Sequence, residues 1–423
     1  MKKNIWILNH YATDTFFDKG GRHFWFAENL IKDGYNATIF CANTVHNTNK
    51  IVDIDDDKLY KENMTNNISY VFIKTSGYSG NESSRVKNMV KFYINMYKVG
   101  KIFNKKNKKP DIIYASSVHP LTLLVGLKLA RKYKIPCICE VRDLWPLTLV
   151  ELDKIEPNAL FTKLLYMGEH WIYKKADSLI FTMEGGKDYI IDKGWNKNVN
   201  IDNVYHINNG VDLKEYYYNL NEFILDDEDL NDEKSFKIIY TGAIRKFNSI
   251  ENVINVAKLF SNSAKYNNIK FLIYGDGTDK ESLIEKCKIE KIDNVIFKGT
   301  VGKKYIPYIL SKSNLNLLFY NDKVNVFRYG SSQNKLFEYL ASGKPIITNI
   351  DMNYSVLKKF DCEIAVNSKN AEDVMHSIID VINMNETDLA KYSENSKKGA
   401  EAYDFKYLTK QLENVIESTV NKK

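Results

Sequence analysis

Two doubly wound α/β domains in tandem, facing one another across a central cleft, are what this sequence predicts, and three observations predict them. Short apolar runs of strand length alternate with amphipathic stretches of helix length. The alternation stops near Asn209-Gly210-Val211-Asp212 and restarts at Phe236. Several strand-like runs end in glycine-rich or polar loops, at the carboxyl ends where parallel sheets hold their ligands. Strands separated by helices imply parallel sheets with right-handed crossovers.

In chain order, Asn4–Asn9 reads as the first strand, followed by a glycine loop and a helix over His23–Lys32. Ala37–Cys41, Ile68–Ile73, Asp111–Ala115, Ile135–Glu140 and Ser178–Thr182 are further strands, with helices over Leu121–Tyr133 and Phe161–Lys175. The acidic stretch through Asp226, Asp227, Glu228, Asp229, Asp232 and Glu233 reads as a solvated connection. The second series of strands is Phe236–Thr241, Ile269–Tyr274, Val295–Lys298, Leu315–Phe319 and Pro345–Thr348. Tyr403–Thr419 closes the chain as a helix with Leu408, Leu412, Val415 and Ile416 on one side. The expected division is a first domain at 1–212, a linker at 213–235, a second domain at 236–402 and a final helix at 403–423.

A length of 423 residues suits two domains. With 44% hydrophobic and 27% charged residues the chain is too apolar to be disordered. Cys41, Cys137, Cys139, Cys287 and Cys362 form no disulfide framework, and Cys137 and Cys139 alternate along one strand, so buried thiols in a reducing cytoplasm are expected. Ile5–Leu8 is too short for a secretion signal, and no apolar run approaches the ~20 residues that span a bilayer. Residues 1–200 hold 30 Lys and Arg against 21 Asp and Glu, whereas the remainder holds 30 against 32. The basic balance belongs to the first half.

The strongest local signal is the run from Ser331 to Pro345 (SSQNKLFEYLASGKP). Ser331 or Ser332 suits a helix N-cap, Asn334–Ala341 a short helix, and Gly343 its left-handed stop. A loop with Gly330 and serines ahead of a helix start offers backbone N–H groups to an anion, aided by the helix dipole. Glu338, about one turn inside, is placed to accept both hydroxyls of a ribose; a solvated Glu on an ordinary helix is the alternative. Thr241-Gly242-Ala243-Ile244-Arg245-Lys246 puts two cations at a strand tip, suited to phosphate oxygens or to a plain surface pair. Gly20-Gly21 lets backbone approach a ligand, or forms a tight turn; the spacing is not that of a dinucleotide fingerprint. His119 follows a strand, before Pro120, as a site residue or a structural histidine. Asp143, in the next such loop, either orients a hydroxyl or pairs with Arg142. Gly275-Asp276-Gly277 ends another strand as a turn or a ligand contact. Asp55-Asp56-Asp57 reads as a solvated loop, and no metal site is expected.

The Ser331–Pro345 segment resembles the donor-binding motif of retaining glycosyltransferases of the GT-B fold, family 4. In the family's order, Gly20-Gly21 resembles its N-terminal glycine loop, Asn209-Gly210-Val211-Asp212 the turn ending its first domain, and Gly275-Asp276-Gly277 its second-domain glycine turn. Glu140-Val141-Arg142-Asp143-Leu144-Trp145-Pro146 resembles a signature of bacterial O-antigen and capsule polysaccharide transferases, an N-acetylfucosaminyltransferase-like branch. The resemblance implies an acceptor-binding first domain, a nucleotide-sugar-binding second domain and a last helix that crosses back to the first. It implies that Glu338 holds the ribose, that Arg245 and Lys246 hold the diphosphate, and that Gly20 and Gly21 close on the donor phosphates. It also implies that His119 contacts the donor sugar and that Gly275 and Gly277 lie near the base. Gly242, Ser331, Ser332, Asn334, Lys335 and Leu336 complete the expected nucleotide site. One departure stands out. The family motif carries a second glutamate eight positions before the ribose-binding one, and this chain has Gly330 there. That leaves the donor sugar open.

The implied reaction is a retaining, metal-independent transfer from a nucleotide-sugar, UDP by family frequency, to a lipid-linked or glycan acceptor. No other cofactor is expected. Arg85 to Lys109 holds nine Lys and Arg and no acid, with Met89, Phe92, Tyr93, Met96 and Tyr97 interleaved at helical spacing. It suits an anionic membrane surface, or a solvated helix whose stripe packs on its own sheet; no recognition motif points to nucleic acid. A nucleotide-sugar epimerase of the same fold and a silent nucleotide-binding subunit are the rival functions.

Overall fold

A computed structural model describes residues 3–45, 48, 50–77, 82–107, 109–117, 119–321, 324–350, 352–366 and 370–422. Lys108 of the basic run lies outside these, as do Met1 and Lys2. The chain divides into two compact units: Met1–Asn208 with Phe405–Lys423, and Asn209–Asp404.

The first unit runs β1 (Asn4–Leu8), α1 (Thr13–Asp18), α2 (Arg22–Lys32), β2 (Asn36–Ala42), β3 (Tyr60–Thr65), β4 (Ile68–Ile73), α3 (Glu82–Lys106), β5 (Ile112–Ser117) and α4 (Pro120–Tyr133). It continues with β6 (Cys137–Val141), α5 (Leu147–Glu151), α6 (Leu160–Lys175), β7 (Ser178–Phe181), α7 (Gly186–Asp192) and β8 (Val204–His206). The sheet order is β3-β4-β2-β1-β5-β6-β7-β8. Strands buried on both faces read as continuous apolar runs, which is why β1, β2, β5, β6 and β7 are visible in sequence. β3 (YKENMT) is different: it pairs antiparallel with β4 at the sheet edge, and its mostly exposed polar side chains give no apolar signal. The chain winds outward in opposite directions from β1 and β5, so the loops after these two strands flank a crevice.

The second unit runs α8 (Leu213–Glu222), α9 (Glu228–Asn231), β9 (Phe236–Thr241), α10 (Ile250–Ser261), β10 (Ile269–Tyr274), α11 (Lys280–Ile289), β11 (Val295–Gly299), α12 (Ile306–Ser311) and β12 (Leu315–Leu318). It ends with α13 (Asn334–Ser342), β13 (Ile346–Thr348), α14 (Val356–Lys359), β14 (Ile364–Ala365), α15 (Ala371–Ile382) and α16 (Glu386–Ala402). Its sheet is parallel in the order β11-β10-β9-β12-β13-β14, with the crevice at β9 and β12. The stretch expected to be a solvated linker instead carries α8 and α9, capped by Asp212 and Asp227. Three of its acids are partnered: Lys298 pairs with Asp227 and Asp229, and Lys270 with Asp229 and Asp232. The acidic run is therefore a seam along the outside of β10 and β11.

The last helix, α17 (Phe405–Asn421), belongs to the first unit. Phe405, Leu408, Leu412, Val415 and Ile416 form its buried stripe, and the Phe26 and Phe405 rings meet at 5.5 Å. The Tyr35 hydroxyl donates to Glu417 at 2.9 Å, and the Ser178 and Thr419 hydroxyls share a hydrogen bond at 2.7 Å. All five cysteines are buried, and no helix among the described residues is long and apolar enough to cross a membrane. Leu412 is fully buried and Tyr407 is exposed on the same helix. Leu412→Ala should lower unfolding stability by about 2–5 kcal/mol, and Tyr407→Ala should change it by less than about 0.5 kcal/mol, both read by denaturant titration.

Candidate functional site

Each unit brings polar groups to the carboxyl ends of its central strands. In the first unit the organising group is Glu140, at the end of β6 and fully buried. A carboxylate there is costly unless it is paired and hydrogen-bonded. Arg22, in the first turn of α2, contacts Glu140 through Nε at 2.8 Å and Nη2 at 2.6 Å, and its remaining donors reach the Ile207 and Asn208 carbonyls. Ser116 donates to Glu140 at 2.7 Å, and the Tyr114 hydroxyl donates as well. His23 Nε2 lies 3.1 Å from Glu140, while its Nδ1 accepts from the Asn9 amide at 2.8 Å. Burial pushes His23 down, which makes it a neutral imidazole with its proton toward Glu140. Burial also works against ionising Glu140, but Arg22, His23 and Arg142 outweigh it and hold the carboxyl well below the usual carboxylate range.

Gly21 makes this possible. It caps α2 at φ +103°, and a Cβ there would come within 3.1 Å of Thr15. Gly20 has ordinary space around it. The glycine pair therefore turns α2 so that Arg22 and His23 face the sheet.

His119 and Asp143 follow β5 and β6. The Asn88 amide nitrogen donates to the Ser76 carbonyl, so its oxygen accepts from His10 Nε2, 2.6 Å away. His10 Nδ1 then accepts from His119 Nε2 at 2.6 Å. This chain leaves His119 Nδ1 as a bare lone pair, buried and without a partner among the described residues. Burial, with Arg85 adding to it, pushes His119 down to about 3, so it stays neutral. The recess around Asp143 pushes its carboxyl up, against Arg142 and Arg85; no ion pair joins Asp143 to Arg142 among the described residues. Both His119 and Asp143 line a cavity of about 190 Å³ between α4, the Asp143–Pro146 loop and α6. Its walls include Leu121, Leu124, Trp145, Leu164 and Leu165. Glu169 is its buried polar wall, with the Tyr173 and Tyr189 hydroxyls at 2.7 and 2.8 Å from its oxygens. Burial raises Glu169 to about 8, against the tyrosines and Lys193.

In the second unit, the loops after β9 and β10 lie backbone to backbone. Gly242 N–H donates to the Tyr274 carbonyl and Ile244 N–H to the Asp276 carbonyl, each at 2.9 Å. A Cβ on Gly275 would sit 1.8 Å from the Gly242 carbonyl oxygen, and one on Gly277 would sit 2.1 Å from that of Ile244. These glycines are thus required by the loop contact itself. Arg245 and Lys246 are exposed at the loop tip. Lys335, in the first turn of α13, turns back onto β9: its Nζ lies 3.0 Å from the Tyr240 hydroxyl and 4.2 Å above that ring's centre. Thr241 N–H donates to the Tyr339 hydroxyl at 2.8 Å, fixing α13 to the tip of β9.

The expected serine cap is not formed. Gln333 holds the N-cap position of α13 and no side chain caps it. Ser331 instead accepts from the Tyr320 hydroxyl at 3.1 Å, and the Ser332 carbonyl accepts from the Asn209 amide. Asn334 is exposed, while Leu336 is buried in the core and presents no side chain to a ligand. Glu338 makes no hydrogen bond among the described residues. Burial raises it to about 7, against Lys303 and Lys335, and burial lowers Lys335 to about 7 as well. Tyr216 of α8 lies close enough to Glu338 to feel its charge.

The second unit thus gathers Gly242, Lys335 and Glu338 about β9, β12 and α13. The first unit gathers Gly21, His119 and Asp143 about β1, β5 and β6. Sequence reasoning missed His10, Arg22, His23 and Glu140 as a connected set. The available signal was a charged residue inside the apolar run Cys137–Val141, which demands a cationic partner.

Residues 26–215 match the family model Glycosyltransferase Family 4, and residues 222–399 match Glycosyl transferases group 1. No curated protein matches the sequence. Among solved structures, sucrose-phosphate synthase from Thermosynechococcus elongatus superposes with a TM-score of 0.74 at 13% identity, covering 100% of both chains. The α,α-trehalose 6-phosphate synthase from Burkholderia multivorans gives 0.72 at 12%, again over 100% of both. HepE from Anabaena, solved in complex with UDP-glucose, gives 0.65 at 11%, covering 98% of this chain and 100% of its own. At these identities the likeness establishes the fold.

Glu140→Gln should cost about 3–5 kcal/mol by stranding Arg22 as a buried unpaired charge; denaturant titration at pH 7 reads it. The folded pKa of Glu140 lies below its unfolded value, so its contribution is full above about pH 4.3 and is lost as the pH falls. Glu169 has the opposite sign. Its folded pKa of about 8 exceeds the unfolded one, so stability is lost as pH rises from about 4.3 through 8. Glu169→Gln, which mimics the protonated carboxyl, should flatten that decline in melting temperature measured across the window.

Proposed function

The chain is a glycosyltransferase of the GT-B fold, and from that premise we propose that it moves a sugar from a UDP-linked donor to a lipid-linked sugar or glycan with retention of configuration. The observation that carries the reading is Glu338: a half-buried carboxylate one turn into an uncapped helix, at the crevice of a doubly wound sheet, with no hydrogen-bond partner among the described residues. Such a carboxylate accepts both hydroxyls of a ribose, and the uncapped N–H groups ahead of it suit a phosphate. Structural neighbours of this fold were solved with UDP and with UDP-glucose.

Departure of the nucleotide builds negative charge on its diphosphate. Lys335, Arg245 and Lys246 would stabilise that charge electrostatically, so the reaction needs neither a metal nor a further cofactor. An arriving phosphate would also draw Lys335 back to its charged form. The His119 Nδ1 lone pair would accept from a hydroxyl of the donor sugar, and Asp143 would orient the acceptor hydroxyl. The departing phosphate oxygen would take the acceptor's proton, so no strong base is required. Surface polysaccharide synthesis at the inner face of the cytoplasmic membrane is the setting that a lipid-linked acceptor implies. In α3, Met89, Phe92 and Met96 are buried against the first unit, while Val86, Val90, Ile94 and Ile102 stay exposed among the lysines. The latter residues, rather than the stripe expected from sequence, would meet a membrane.

Incubation with a panel of nucleotide-sugars, with and without a membrane lipid extract, tests the reading. Nucleotide release coupled to a new glycolipid is expected. An isomerised donor without acceptor would mean an epimerase, and binding without turnover across the panel a silent subunit. Glu338→Ala should weaken UDP binding at least tenfold, since it removes two charge-assisted hydrogen bonds, with the melting temperature of the protein retained. Unchanged UDP affinity by calorimetry would remove Glu338 from the ribose site.

A further inference from the structure

The cavity beside His119 and Asp143 is mostly apolar, and it is not closed. Leu164 both lines the cavity and is 53% exposed on the outside of α6. The cavity is therefore continuous with the outer face of that helix. There Leu160, Phe161, Leu164, Met167 and Trp171 lie uncovered at helical spacing. Uncovered apolar stripes of this kind mark interaction sites.

Charge identifies what meets the stripe. α4 packs between α3 and α6. Lys128 of α4 sits 4.4 Å from the centre of the Tyr97 ring on α3, and Arg131 sits 5.8 Å from that of Trp171 on α6. Together the three helices carry thirteen Lys and Arg and only two acids, Glu82 and Glu169. Glu169 is buried. A face that is apolar in stripes, cationic between them and nearly free of acids complements an anionic amphiphile.

We propose that this cavity holds the hydrocarbon chain of the acceptor lipid, with the polar head toward His119 and Asp143 and the chain leaving past Leu164 along α6. The proposal rests on the transferase reading above and names where the lipid part of its acceptor is bound. An apolar cavity of ~150 Å³ takes a benzene-sized molecule; at about 190 Å³ this one accommodates a short run of chain. The remainder lies on the outer stripe and in the bilayer. The cationic helices hold the protein against an anionic bilayer, so the acceptor need not leave the membrane to react.

Gly168 offers a clean test. It lies at the cavity mouth in mid-helix, and a Cβ there meets nothing within 4 Å. A side chain at 168 thus has room beside the cavity without a backbone clash, and it removes a helix-weakening glycine. The probe is farnesyl phosphate, titrated into the whole protein, with inorganic phosphate as the head-group control. Farnesyl phosphate should bind the native protein far more tightly than phosphate does. Gly168→Phe should weaken it at least tenfold, and Gly168→Ala by less than twofold. Equal affinity in native protein and Gly168→Phe, or phosphate binding as well as farnesyl phosphate, overturns the proposal. UDP titrated into the same samples separates the two ideas. UDP binding with no chain binding sinks the cavity assignment alone, whereas failure of UDP to bind the native protein sinks the transferase reading on which it rests.

Discussion

The first unit is built around one buried charge. Glu140 sits at the end of a central parallel strand, where no water reaches it. An ionised carboxylate is stable there only because the Arg22 guanidinium meets it with two nitrogens and because Tyr114, Ser116 and His23 satisfy its oxygens. Those partners come from α2 and β5, and Arg22 extends the network to the chain leaving β8. Satisfying Glu140 therefore fixes the register of the elements around the crevice. It also explains Gly21: a helix that must deliver both Arg22 and His23 inward from its first turn needs a backbone entry that a side chain would obstruct. The neighbouring relay from Asn88 through His10 to His119 uses the same logic, since each imidazole's tautomer is set by the partner behind it.

The second unit solves the corresponding problem with backbone rather than charge. Its crevice floor is two loops whose peptide groups touch, and Gly275 and Gly277 are the residues that permit the approach. Lys335 and Tyr339 then tie α13 to the tip of β9. This leaves the start of α13 uncapped and Glu338 without a hydrogen-bond partner. A folded protein that leaves such groups unsatisfied has either paid for them without return or holds them for a ligand. The motif in which they occur favours the second.

The fold was legible because both sheets are parallel apart from β3 and their central strands are buried, so nearly every central strand announces itself as an apolar run with a loop at its carboxyl end. What escaped was amphipathic or local. β3 lies on an edge and exposes its side chains; β8 and β14 are only three and two residues long. The helix α9 was hidden by an acidic composition that reads as solvation but serves Lys270 and Lys298. The place of a candidate residue in the fold was legible where a motif fell on a strand tip, as for His119 after β5 and Gly242 after β9. Side-chain direction was not. Sequence spacing places Leu336 and Glu338 in one motif, yet the turn of the helix buries the first in the core and leaves the second at the crevice. The resemblance gives the diphosphate to Arg245 and Lys246, which stand exposed at the loop tip, whereas Lys335 is drawn in against Tyr240.

Gly330 shows how a backbone can decide a recognition question. The family motif carries a carboxylate at this position, and its absence reads in sequence as a gap in sugar recognition. In the structure Gly330 ends a short 3-10 turn with φ +97° and ψ 175°, a conformation open to glycine and strained for residues with a Cβ. Its N–H closes the turn onto the Phe327 carbonyl at 2.9 Å. That turn packs Phe327 against Tyr320 and Phe247, and Tyr320 in turn donates to Ser331 at the head of α13. The glycine is thus part of what sets the loop before the helix. Restoring a glutamate would add a carboxylate and at the same time disturb the turn that places the rest of the motif. At position 330 the absence of a carboxylate and the shape of the loop go together.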